Sequence, residues 1–217
     1  PGTYFMPSSS SSKRFSDLLK FFKNEDAAIL SPIEPLDQTT KWASELNLKS
    51  FRQAAVLVPV TKTDGFGESS IVLTVRSSNL KSHAGQVSLP GGTSEEQDRD
   101  PTATALRESY EEIGVDGSYL ELLGKLSNFY TPVSYFNIHP FIWYSKSKPK
   151  ININLQEVEE VYKVSVSELV NEKNVKTTNV EKSGVNFKVP SFNFNDCVCW
   201  GATAMILSEL KDLILDL

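Results

Sequence analysis

The segment from Asp100 to Gly114 constrains the chain most, because it marks both ends of one helix and the chemistry of its surface. Asp100 precedes Pro101 in the order of an N-cap followed by proline at the first helical position. Gly114 stands where a C-cap glycine belongs. Between them Ala103, Leu106, Tyr110 and Ile113 recur at intervals of 3, 4 and 3, which predicts a buried stripe. Glu108, Glu111 and Glu112 fall at i, i+3 and i+4 and project from one helical face. The stripe points away from at least Glu108 and Glu112, so the expected element has an apolar back and an acidic front. Like charges at this spacing repel by about 0.2–0.5 kcal/mol per pair on an exposed helix. Acidic faces are most often simply solvated. This one follows a Leu89-Pro90-Gly91-Gly92 turn and ends in a glycine cap, a context that also suits a bound cation. Hard divalent cations take oxygen ligands and bridge to substrate phosphates, which points to phosphate chemistry.

A chain of 217 residues can bury the core of one ordinary domain. Its charge of −5 and pI near 5.2 give no basic field for a nucleic-acid polymer. Cys197 and Cys199 stand among apolar residues as C-x-C, a poor disulfide and too few ligands for zinc, so two buried thiols in a reducing intracellular setting are expected. No apolar run approaches the ~18 residues of a membrane span, and no secretory signal is visible. The C-terminal Leu215-Asp216-Leu217 is not a Ser-Lys-Leu-type address. Residues 1–14, with the serine run Ser8 to Ser12, read as a disordered tail. Residues 15–50 read as an N-terminal helical extension, with a stripe at Phe15, Leu18, Leu19 and Phe22. Ala54 to Thr61 and Ile71 to Arg76 read as buried strands joined by a hairpin at residues 64–67. Tyr119 to Asn128 and Ile138 to Ser145 read as further strands, and Ala202 to Leu215 as a closing helix. The pattern predicts an α/β fold, a mixed β-sheet sandwiched between α-helices.

The run from Gly92 to Val115 resembles the signature of the Nudix hydrolases, G-x5-E-x7-R-E-U-x-E-E-x-G-U with U aliphatic. Gly92, Arg107, Glu108, Glu111, Glu112, Gly114 and Val115 match. Two positions depart from it: the upstream acid is Asp98 with eight residues before Arg107, and Ser109 stands at the first aliphatic position. The resemblance implies a Nudix domain over residues 51–217, of α/β/α architecture. It also implies that Glu108, Glu111 and Glu112 are ligands of Mg²⁺ or Mn²⁺ and that Asp98 and Arg107 brace the loop against the helix. The Gly91–Gly92 turn lets backbone approach an ion closely, so a Gly91 carbonyl is a further candidate ligand.

A second stretch is similar to the L-L-T-x-R-[SA]-x3-R-x3-G-x3-F-P-G-G motif of the coenzyme A pyrophosphatase branch of that family. Here it runs Val72-Leu73-Thr74-Val75-Arg76-Ser77, Lys81, Gly85 and Leu89 to Gly92. Val72, Lys81 and Leu89 replace leucine, arginine and phenylalanine, and Lys81 keeps the charge without the planar fork. This branch commonly carries the acid one residue early, as Asp98 stands here. The segments Glu157 to Leu169 and Cys199 to Ala204 extend the likeness, closest to the fungal peroxisomal type. The resemblance implies coenzyme A, or its acyl or oxidised forms, as the substrate partner, with Arg76, Lys81, His83 and Gly85 as substrate-binding residues. It implies catalytic roles for Glu108, Glu111 and Glu112, with Glu157 as a further ligand or water-orienting residue whose bland alternative is a solvated strand edge. It also implies a peroxisomal address and a monomer or homodimer. Two other readings stay open: hydrolysis of oxidised nucleoside triphosphates such as 8-oxo-dGTP, and a catalytically silent binding module.

Overall fold

The computed structural model describes residues 51–62, 69–80, 83–131, 134–145, 149–182, 185–195 and 197–215. The tail at 1–14, the helical extension at 15–50, the hairpin at 64–67 and Lys81 lie outside the described residues. Strand β1 (Arg52–Lys62) pairs antiparallel with β2 (Ser69–Arg76), with Val60 opposite Ile71. Along its other edge β1 runs parallel to β7 (Phe136–Ser145), from Arg52 opposite Phe136 to Thr61 opposite Ser145. Parallel neighbours require a long crossover. The chain between them supplies it as β3 (Val87–Ser88), β4 (Gly91–Thr93), α1 (Pro101–Ile113), β5 (Glu121–Lys125) and β6 (Phe129–Thr131). Strand β4 pairs with the first half of β1, and β5 and β6 pair antiparallel with β7. Strand β8 (Val158–Ser165) adds antiparallel to β2. Residues 119–128, expected as one strand, start in a 3-10 turn at Gly117–Tyr119 and form β5 only from Glu121.

Alternation along β1 assigns the two faces of the sheet. Ala55 and Leu57 pack with Ala105 of α1, Phe141 and Trp143. Val58 and Val60 point the other way, into a larger cluster with Leu207 and Leu210 of α3 (Gly201–Leu215). A helix thus covers each face of a mixed sheet, the predicted α/β/α arrangement. The short α2 (Val166–Val170) begins at a capping box in which Ser165 and Glu168 exchange hydrogen bonds. A second, antiparallel sheet of β9 (Val175–Lys182), β10 (Val185–Asn193) and β11 (Val198–Trp200) was not anticipated. Cys197 and Cys199 are buried thiols outside any disulfide, beside and within β11, as expected.

The orientation of α1 corrects the sequence reading. Its caps are as predicted: Asp100 accepts from the Ala103 N–H at 2.8 Å, and Gly114, at φ 68°, donates to Tyr110 O. Its buried residues, however, are Thr104, Ala105, Ser109, Glu112 and Ile113, while Tyr110 is 63% exposed. The inward stripe is turned one residue from the 106–110–113 row toward the acidic side. Ser109 tolerates full burial because its hydroxyl donates to Ala105 O at 2.7 Å. Glycines opposite the helix permit this rotation, as the site shows.

Candidate active site

Strand β4 is where backbone and carboxylates meet. Gly91 has φ 148°, and a Cβ there would lie 2.3 Å from Ala55 O, so only glycine fits between β1 and α1. Its N–H donates to Glu112 Oε2 at 3.0 Å. At Gly92 a Cβ would fall 2.4 Å from the Glu108 carboxyl carbon, so the missing side chain is the space that carboxylate occupies. The paired glycines are therefore a cradle for two glutamates on successive helical turns.

Arg107 ties the loop to the helix. Its Nε and Nη2 grip Asp98 in a fork, each bond 3.0 Å, and Nη2 also donates to Thr93 O. Nη1 donates to Glu108 Oε1 at 3.1 Å and Glu111 Oε2 at 3.0 Å. The extra residue after Asp98 thus does not prevent the brace. This hydrogen-bonded guanidinium holds the Asp98 carboxyl down at about 2, helped by the Glu95 N–H and Thr104 hydroxyl.

Glu112 lies in a different environment. It is 2% exposed, and burial pushes its pKa up to about 7 against the opposing pull of the Gly91 N–H and Arg76. Arg76 Nη1 stands 3.6 Å from Glu112 Oε1, while Arg76 Nε is buried without a partner among the described residues. Burial also raises the Glu108 pKa, opposed by Arg107. The charge of Glu157 raises both Glu108 and Glu112, which places that residue within the same electrostatic site. Glu157 is fixed there from two sides: Asn154 Nδ2 donates to its Oε1 at 3.1 Å, and its carbonyl accepts from Ser77 N–H at 2.8 Å. The 152–154 segment is docked on the end of α1 through Asn152 N to Ile113 O and Asn154 N to Glu112 O. Asn152 and Asn154 are functional supports that sequence reasoning missed; their only signal was alternation in Ile151-Asn152-Ile153-Asn154.

The loop after β2 closes back on Arg76, whose N–H donates to Gln86 O and whose carbonyl accepts from Gly85 N–H. Gly85 has φ 69°, a turn requirement. His83, exposed, turns its Nδ1 to Gln86 Oε1 at 2.8 Å, and none of its hydrogen bonds reaches the carboxylates. The structure therefore brings Gly91, Gly92, Asp98, Arg107, Glu108, Glu111, Glu112, Arg76 and Glu157 around one loop. His83 and Gly85 are left in the turn beyond Arg76, and Gly114 at the helix end.

These residues fit a hard divalent cation in kind and in charge. The donors are carboxylates, Glu157 adds its charge beside Glu108 and Glu112, and burial disfavours ionisation of Glu108 and Glu112 until a cation offsets it. Among the described residues no three acidic, histidine or cysteine side chains converge as a ligand set, and Arg107 holds oxygens of both Glu108 and Glu111.

Comparison with known proteins agrees with this geometry. The NUDIX domain model matches residues 51–182. The chain belongs to the Nudix family. Nudix hydrolases generally use divalent metals such as Mg²⁺ or Mn²⁺ and act on nucleoside diphosphate derivatives. The chain is 35% identical over 162 residues to "Nudix hydrolase 15, mitochondrial" of Arabidopsis thaliana, covering 72% of this chain but only 56% of that protein. It is 31% identical over 163 residues to "Uncharacterized Nudix hydrolase NudL" of Photorhabdus laumondii, covering 75% of this chain and 85% of that one. A MutT/nudix family protein from Enterococcus faecalis shares the fold, with TM-score 0.50 and 13% identity, covering 96% of this chain and 74% of that one. No helix among the described residues is long and apolar enough to cross a membrane.

Proposed function

We propose that this Nudix protein hydrolyses the pyrophosphate bond of coenzyme A and its derivatives, giving 3′,5′-ADP and 4′-phosphopantetheine or its acylated form. One observation carries the reading. The stretch that resembles the coenzyme A branch, Val72 to Gly92, passes through Arg76 beside Glu112 and ends in the glycine cradle of Glu108. Arg76, with a buried Nε still unpartnered, is the cation placed to meet a phosphate at the carboxylates.

Glu108, Glu111 and Glu112 would hold Mg²⁺ or Mn²⁺, with the Gly91 backbone and Glu157 at the margin of that set. A bound divalent ion supplies a water of lowered pKa and offsets charge on the phosphate oxygens. Arg107 neutralises part of the acidic cluster and keeps the 93–98 loop against α1. A box glutamate or Glu157, the latter oriented by Asn154, takes a proton from water.

The test is product analysis with coenzyme A, oxidised coenzyme A, 8-oxo-dGTP, ADP-ribose and NADH in the presence of Mg²⁺ or Mn²⁺. Highest kcat/KM on a coenzyme A species is expected. A rate on coenzyme A no higher than on 8-oxo-dGTP defeats this choice and favours a nucleotide-pool role. No metal-dependent turnover of any of them marks a binding module.

A further inference from the structure

The strands beside the carboxylates carry a second polar group that the reaction above does not use. Gln53 of β1 and Asn137 and His139 of β7 lie on the α1 face of the sheet, since Gln53 is opposite Asn137 and shares the parity of Ala55 and Leu57. Asn137 Nδ2 donates to Gln53 Oε1 at 2.9 Å, and His139 Nε2 stands 2.9 Å from the same oxygen. Gln53 is itself oriented by donating from Nε2 to Phe51 O. A flipped Asn137 would set two carbonyl oxygens against each other, so its Oδ1 must point away. His139 Nε2 stands equally close to a donor, 3.1 Å from Asn137 Nδ2, so these contacts do not fix which ring nitrogen carries its proton.

Two amide oxygens and one ring nitrogen are left over. Among the described residues Asn137 Oδ1, Asn128 Oδ1 and the His139 ring Nδ1 are buried with no partner, and the Asn137 side chain belongs to a residue only 9% exposed. Asn128 immediately precedes β6, where Phe129 faces Ile138, which brings it level with His139 on the next strand. Buried acceptors of this kind ordinarily have a donor. One register step away, opposite Phe141, is Lys125. Its ammonium lies over the Phe141 ring at 5.8 Å, and among the described residues it has no carboxylate partner. Burial lowers the Lys125 pKa, and its charge helps hold His139 neutral, so the two side chains share one environment. Tyr130, opposite Asn137, adds an aromatic wall.

The group thus offers acceptors that need N–H donors, a half-buried cation that needs an anion, and an aromatic edge. A phosphorylated aminopurine satisfies all three. We infer that Lys125, Asn128, Asn137 and His139 form a subsite for the phosphorylated nucleoside end of the substrate, with Lys125 reading a phosphate that is not hydrolysed. This rests on the coenzyme A reading, in which that phosphate is the 3′-phosphate and the donor is the adenine amino group.

Full-length protein, Lys125→Gln and Lys125→Arg are compared on coenzyme A and dephospho-coenzyme A with Mg²⁺. Lys125→Gln is expected to raise KM for coenzyme A roughly tenfold while leaving its kcat and both constants for dephospho-coenzyme A unchanged, and Lys125→Arg to restore the difference. Equal effects on the two substrates, or none, overturn the inference while the functional reading stands. If coenzyme A is not hydrolysed, that reading falls, and calorimetry with 3′,5′-ADP decides the subsite separately. Binding weakened in Lys125→Gln supports it; no binding, or binding unchanged by the substitution, leaves ordered water as the occupant and overturns it.

Discussion

The two faces of the main sheet are built to opposite ends. On the α3 face Val58, Val60, Ile71 and Leu73 meet Leu207 and Leu210 in one continuous apolar cluster. On the α1 face the apolar contacts are split into two small groups, around Leu57 and around Ile113. Between and beside them sit a buried glutamate, a half-buried arginine and a neutral histidine. Strand parity puts Arg76, Asn137, His139 and Trp143 on this face, and each has a buried polar atom without a partner among the described residues. Such atoms cost about 1–3 kcal/mol each when nothing binds them. The α3 face supplies the continuous apolar burial that offsets this cost.

That contrast can be broken by substitution. Glu112→Gln should leave a folded protein and lower turnover by several orders of magnitude; near-normal turnover would remove Glu112 from the metal set. Gly92→Ala drives a methyl into the Glu108 carboxylate and should cost about 10–100-fold in kcat/KM, with the melting transition nearly unmoved. Leu207→Ala should do the reverse: loss of about 2–5 kcal/mol in denaturant titration, with activity per folded molecule retained.

Smaller effects come from proton linkage in metal-free protein. The folded pKa of Glu112, about 7, lies above its usual 4.5, so the folded state holds the extra proton between these values. Its contribution to stability therefore declines as pH rises from 4.5 to 7. Glu112→Gln should be the more stable protein at pH 8, by on the order of 1–3 kcal/mol, in chelator-treated samples. A wild type that is the more stable at pH 8 would show that Glu112 is not held in an unfavourable charged state. His139 has the opposite sign. Its folded pKa, about 4, lies below 6.5, so the unfolded state binds the extra proton and stability rises as pH increases through that window. His139→Gln should flatten that rise by on the order of 1 kcal/mol, measured as the difference from wild type between pH 4.5 and 6.5.

Much of this site was legible before any fold was drawn. Asp100, Pro101 and Gly114 act through the backbone within a turn of themselves, so the helix ends follow from local chemistry. The alternating and apolar runs of β1 and β2, and the helix ending at Leu215, were legible for the same reason. The inward stripe of α1 was misread because hydrophobicity alone was taken to choose the buried side. Tyr110 is exposed and Glu112 buried because Gly91 and Gly92 open a polar cradle under the helix, a fact that belongs to β4 and not to α1. The sheet of β9 to β11 was missed because β9 carries Lys176, Thr177, Thr178 and Asn179, which resemble loop chemistry until Lys188 to Ser191 pair with them.

Family, helix and carboxylates can be read along the chain, because a motif records residues whose spacing along one element is their function. Which carboxylates share a charge environment depends on packing. Glu111 and Glu112 are neighbours in the chain, yet one is exposed on Arg107 and the other sealed against Gly91. Glu157 joins Glu108 and Glu112 from far along the chain, because burial and distance set the interaction of charges, and both are properties of packing.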